Sequence, residues 1–166
     1  MSELELIAIA KAAVPGALEK AKHYRLLNDP EQAESICLDI LEVQPDHREA
    51  KVVLILALTD RFSDRGGAQR IKKARELARS IEDPYQALYY EGIVWEREGR
   101  ADLKRNLPGG AAYVALRRAM DLFKQASARS TEDDAQADLR FNGCLRTIRE
   151  RGLKPPDTEP STQLLE

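Results

Sequence analysis

GALEKAKHYRLLNDPEQAESICLDILEVQPDHREAKVVLILAL, running from Gly16 to Leu58, decides the fold. Within it Ala33, Cys37, Ile40, Leu41 and Val43 precede Pro45 at helical intervals. Small residues at Ala21 and Ala33 let two antiparallel helices approach closely, and Tyr24, Cys37 and Ile40 fill the space between them. Asp29-Pro30-Glu31 is a helix start, with Asp29 as the cap and Pro30 at the first helical position, where its missing N–H costs nothing. Pro45 cannot continue the hydrogen-bond ladder of the second helix, and a third begins around His47 to Glu49. One hairpin cannot bury its apolar face alone, so helix, turn, helix, turn predicts a stack.

Working outward, Ala50 to Leu58 is nearly all apolar, so a helix there lies inside the array; a buried strand is the rival for so short a run. Toward the N-terminus, Leu4 to Val14 can form a short helix, which Pro15 either kinks or replaces by opening the next one. Downstream, Gly66-Gly67 breaks the pattern before a basic helix from about Ala68 to Ser80. Asp83-Pro84 repeats the start signal ahead of Ala87, Leu88, Gly92, Ile93 and Trp95. GRADLKRNLPGG, roughly residues 99–110, reads as an insertion, either a surface loop or a basic lip carrying Arg100, Lys104 and Arg105. Gly110 to Arg129 is amphipathic, packing through Ala112, Ala115, Ala119, Leu122, Phe123 and Ala126. A last helix, started by serine or threonine near an acidic turn and stopped at Gly152, carries Leu139, Cys144 or Leu145, and Ile148 as its apolar stripe. The expectation is one helical domain over residues 1–152, with six or seven main helices, and a flexible tail over 153–166.

These residues resemble the tetratricopeptide repeat (TPR) family, whose unit of about 34 residues is a helix pair closed by proline. Ala21 and Tyr24 fall on the small and aromatic positions of a first helix, and Ala33, Cys37, Ile40 and Pro45 on positions of the second, while Ala17 stands where the family has tryptophan. A second copy places Leu88, Gly92 and Trp95 on one helix and Ala119, Phe123 and Ala126 on its partner, with roughly fifteen residues more than such a unit holds. A third, eroded copy starts at Ala50 with Ile55 and Leu58. The resemblance implies an all-α fold of antiparallel helix pairs stacked as a short right-handed TPR-like solenoid with a C-terminal capping helix. It also implies a concave groove for a protein segment. Its positions here are Leu18, Lys22 and Arg25, then Glu49, Val52 and Leu56, then Gln86, Tyr89, Ile93 and Arg97. Val52, Leu56, Tyr89 and Ile93 would form an apolar stripe along it. Leu18 and Lys22 replace the lysine and asparagine with which chaperone-binding members hold a terminal carboxylate, so a chaperone tail is not the favoured ligand.

Composition narrows the function classes. The net charge of −2 gives no support for a strongly electrostatic partner, but the middle of the chain, residues 61–129, is its basic portion. Nucleic-acid binding through Arg61, Arg65, Arg70, Lys72, Lys73, Arg75 and Arg79 is disfavoured, because these residues occupy several helical faces with no aromatic platform beyond Phe62. Glu3 and Glu5 stand where a signal peptide needs positive charge, and no run spans a bilayer, which leaves the cytoplasm as the expected compartment. Cys37 and Cys144 lie far apart in apolar patterns and read as buried free thiols. No phosphate-binding glycine loop, metal-spaced cysteine pair or HExxH is present, and His23 and His47 lack a matched nucleophile. The expectation is therefore a non-enzymatic adaptor or chaperone-like module without cofactor or metal, whose partner is a protein or peptide segment. Self-association into a homo-oligomeric structural subunit is the alternative, with weak nucleic-acid binding third.

Overall fold

The computed structural model describes residues 3–157. Seven α-helices follow one another: α1 Val14–Leu26, α2 Pro30–Val43, α3 Arg48–Thr59, α4 Gly67–Arg79, α5 Pro84–Lys104, α6 Gly109–Ser127 and α7 Gln136–Glu150. Each packs on the next, and α1 to α3 and α3 to α5 also touch, so the chain is a helical stack of solenoid-like arrangement. There is no strand among the described residues, and the apolar run after Ala50 is helix α3, buried through Ala50, Val53, Leu54, Ile55, Ala57, Leu58 and Thr59.

The helix starts follow their local chemistry. The Asp29 carboxylate accepts the Gln32 N–H at 3.2 Å, and Asp83 accepts the Tyr85 N–H at 2.9 Å. His47 Nδ1 accepts the Ala50 N–H at 3.2 Å, which makes that histidine the cap of α3. Pro15 opens α1 rather than kinking a longer helix. The expected helix from Leu4 is absent: only the 3₁₀ turn Lys11–Ala13 precedes α1, and residues 3–10 have no regular structure. The start of α7 also differs from expectation, because Asp134 rather than a serine or threonine accepts the Gln136 N–H, at 3.1 Å.

Three helices stop in the same way. Asn28, Asn106 and Gly152 have φ of 61°, 54° and 59°, and the residue after each returns its N–H to a carbonyl five positions back, at Tyr24, Asp102 and Ile148. The stop at Asn106 corrects the reading of residues 99–110 as an insertion. Most of that stretch is helix, α5 running to Lys104, so the surplus residues lengthen the α5/α6 hairpin to helices of 21 and 19 residues. Only a short turn remains, ahead of Gly109.

The core has two parts that meet on α3 and α5. The first joins α1 to α4 around Leu18, Cys37, Ile40, Leu54, Ile55, Leu58 and Phe62, and takes Val94 and Ala101 from α5. The second gathers Tyr89, Ile93, Leu116, Met120, Phe123, Cys144 and Ile148 between α5, α6 and α7, with Leu56 of α3 packed against it. Backbones approach closely in both. A Cβ on Gly67 would lie 2.0 Å from the Phe62 carbonyl oxygen, and one on Gly92 would lie 2.7 Å from Cε1 of Phe123. Leu139, expected in the stripe of α7, is 66% exposed; Ala137, Cys144 and Ile148 are its buried residues. Beyond Gly152, Leu153 packs on the second core and Pro156 lies against Gly110, so the first residues of the expected flexible tail are seated on α6. Residues 158–166 of that tail lie outside the described residues.

Candidate binding face

The odd-numbered helices share one face, and side chains tie it together across the helix boundaries. Lys22 of α1 reaches Glu49 of α3 at 3.0 Å. Arg25 of α1 meets the Asp60 carboxylate at the end of α3 through Nε at 2.8 Å and Nη2 at 3.1 Å, and Nη1 of Arg97 on α5 approaches the same carboxylate at 3.9 Å. Glu96 of α5 accepts from Arg100 at 2.8 Å and from Arg140 of α7 at 3.4 Å. The chain of contacts therefore runs from α1 through α3 and α5 to α7.

These contacts divide the expected groove residues into two groups. Lys22, Arg25, Glu49 and Arg97 lie in the ionic chain. Leu18, Tyr89 and Ile93 are core residues, exposed by only 6%, 8% and 1%, while Val52, Leu56 and Gln86 are half-buried. The apolar stripe through Val52, Leu56, Tyr89 and Ile93 is thus not an open track, because the second core takes up Tyr89 and Ile93 and holds Leu56 at its edge. Tyr89 stands 5.8 Å from Phe123 and 5.1 Å from Tyr90, ring centre to ring centre. What this face offers is charge. Asp60 and Glu96, which organise it, were missed from the sequence; for Glu96 the available signal was its place four residues before Arg100 on one helix, and no local pattern marks Asp60.

At the C-terminal ends of the odd helices the face opens into two adjoining clefts that share Arg100 and Lys104. One, of about 440 Å³, is lined by Arg25, Leu26, Asn28, Thr59, Asp60, Ser63, Arg97 and Ala101 as well. The other, of about 420 Å³, adds Leu103, Thr147, Glu150 and Arg151. Cations near helix C-termini are favoured by the helix dipoles, which accounts for part of this clustering. Arg97 is not fully accounted for. Its Nε is buried without a hydrogen-bond partner among the described residues, and burial pushes its pKa down against the opposing pull of Asp60 and Glu96. The Arg97 side chain as a whole is 32% exposed and shares the Asp60 carboxylate with Arg25.

Elsewhere the candidate groups are occupied by structure. Arg61 pairs with Glu34 at 3.3 Å, Arg79 with Glu91 at 2.8 Å, and Arg75 with Glu98 while covering the Trp95 ring at 3.8 Å. The basic segment 61–79 therefore spends much of its charge between helices. Cys37 and Cys144 are buried and free, and burial pushes both thiols up to about 12, far from a reactive thiolate. No group of metal-ligand side chains occurs among the described residues, and none of their helices is long and apolar enough to cross a membrane. No protein-family model, curated protein or solved structure matches this chain.

Proposed function

We propose that the chain is a non-enzymatic, TPR-like protein-binding module that receives an extended peptide segment on the face of its odd helices, in the cytoplasm. The observation that carries this reading is the ionic chain from Lys22 to Arg140, which makes four helices one continuous surface rather than four separate ones. Its clefts hold five cations, Arg25, Arg97, Arg100, Lys104 and Arg151, against the carboxylates of Asp60 and Glu150. Leu26, Ala101 and Leu103 supply apolar wall beside them. A segment that alternates acidic and apolar side chains suits such a lining: its carboxylates complete the hydrogen bonding of the guanidinium groups and its apolar side chains cover the leucines. The clefts contain no aromatic platform for nucleic-acid bases, and two carboxylates in the lining repel a phosphodiester backbone.

Selection of a random displayed peptide library against the wild type and a Lys104→Glu variant tests this. Enrichment of acidic peptides that the variant fails to retain, with its melting curve unchanged, is the expected result. No enrichment on the wild type would reject the reading.

A further inference from the structure

Resting on that reading, we propose that the clefts take one particular occupant: the Glu3–Ile7 segment of a second copy of this chain. Two observations that are independent of each other meet here. The first is the excess of positive charge in the lining of the clefts, where five cations face two carboxylates and Lys104 makes no ion pair among the described residues.

The second is at the other end of the first hairpin. Residues 3–10 have no regular structure, and Leu4, Leu6 and Ile7 are 102%, 95% and 88% exposed. Apolar side chains this exposed on irregular backbone, with no backbone hydrogen bond made by residues 3–9 among the described residues, mark a segment shaped for a partner. Its sequence is Glu-Leu-Glu-Leu-Ile. In an extended strand Glu3 and Glu5 point to one side about 7 Å apart and Leu4 and Leu6 to the other, so one edge can face Arg97 and Lys104 while the other meets Leu26 and Leu103. The segment's acidic and apolar side chains complement the mixed cationic and apolar lining of the clefts.

The donor is a second molecule because of where the segment sits. It enters the 3₁₀ turn ahead of α1 and lies on the C-terminal half of α2, where Leu6 to Ile9 border a cavity with Leu38 and Val43. Ile9 packs on the first core. The clefts lie at the far end of α1, a helix of 13 residues and therefore about 20 Å long.

The test uses four proteins and two synthetic peptides. The full-length chain, a chain lacking residues 1–10, and the Lys104→Glu variant of each are compared by sedimentation velocity over a concentration series. A labelled peptide, SELELIAIA, and its Glu5→Lys form are titrated into both truncated proteins by fluorescence anisotropy. The full-length chain should self-associate with concentration, the truncated chain should be monomeric and bind the peptide, and Lys104→Glu should weaken both by about tenfold. A peptide with Glu5→Lys should recover affinity for the Lys104→Glu protein. A full-length chain that stays monomeric throughout, or peptide binding indifferent to Lys104→Glu, overturns the inference. If library peptides bind the face while SELELIAIA does not, the inference fails and the binding-module reading stands; if neither binds, both fail.

Discussion

Gly92 faces the closest helix contact whose cost can be worked out. A Cβ added there would lie 2.7, 2.9 and 3.1 Å from Cε1, Cδ1 and Cζ of Phe123, against the 3.5–4.0 Å at which carbon atoms rest. The ring must therefore retreat by about 0.8 Å, and it has nowhere easy to go: Phe123 is fully buried and held by Tyr89. Overpacking of this kind costs about 1–3 kcal/mol, whereas replacing a mid-helix glycine by alanine gains about 1 kcal/mol of helix propensity. Gly92→Ala should thus be neutral to about 2 kcal/mol destabilising, and Gly92→Leu, with three more carbons in the same space, should exceed it. The decisive background is Phe123→Leu, which removes the ring that clashes. There Gly92→Ala should become stabilising, since only the propensity gain remains, giving a coupling of about 1–3 kcal/mol in a urea-denaturation cycle. Stabilisation by Gly92→Ala in the wild-type background, or an equal effect in both backgrounds, would refute the close-contact argument.

Other substitutions probe the remaining links. Asp29→Ala and Asp83→Ala should each cost about 1 kcal/mol by chemical denaturation, through the lost caps of α2 and α5. Glu96→Gln should cost about 2 kcal/mol or more, because Glu96 is 1% exposed and holds both Arg100 and Arg140; a thermal melt matching the wild type would show that the pair of arginines is satisfied without it. The two thiols should resist a thiol reagent at neutral pH in the native protein and react fully in guanidinium. Their raised pKa also sets a sign: unfolded thiols ionise near 8.5 and folded ones only near 12. The unfolded state thus loses protons first, and stability should fall between about pH 9 and 12. A Cys37→Ala/Cys144→Ala variant should show a shallower fall, and an identical slope would contradict the burial argument.

Reading along the chain located the parts that local chemistry controls. Asp29-Pro30, Asp83-Pro84 and Gly152 mark helix ends because capping is settled by one side chain and the few backbone groups beside it. The 3.6-residue spacing of Ala33, Cys37 and Ile40 located a buried helix face for the same reason. Asn106 was harder to read, since asparagine adopts the left-handed conformation only at some helix ends; the stop there turned a supposed insertion into the turn of a long hairpin.

The character of the face shared by the odd helices could not be read this way. Periodicity shows that Tyr89 and Ile93 belong to an apolar side of α5, but not which neighbour covers that side. In the folded chain α6 and α7 cover it, so those two residues enter the second core and are lost to any ligand. Family resemblance led to the expectation that Lys22, Arg25 and Arg97 line a groove. Their partners reach them only through tertiary packing: Glu49 of α3 meets Lys22, Asp60 at the end of α3 meets both Arg25 and Arg97, and in the same way Glu96 of α5 holds Arg140 of α7. Sequence alone determined that the chain is built of helices and where several of them start and stop, because caps and periodicity act over a few residues. The tertiary structure decided that the shared face is charged, because burial depends on which surfaces meet and ion pairs depend on distances between helices that no local pattern encodes.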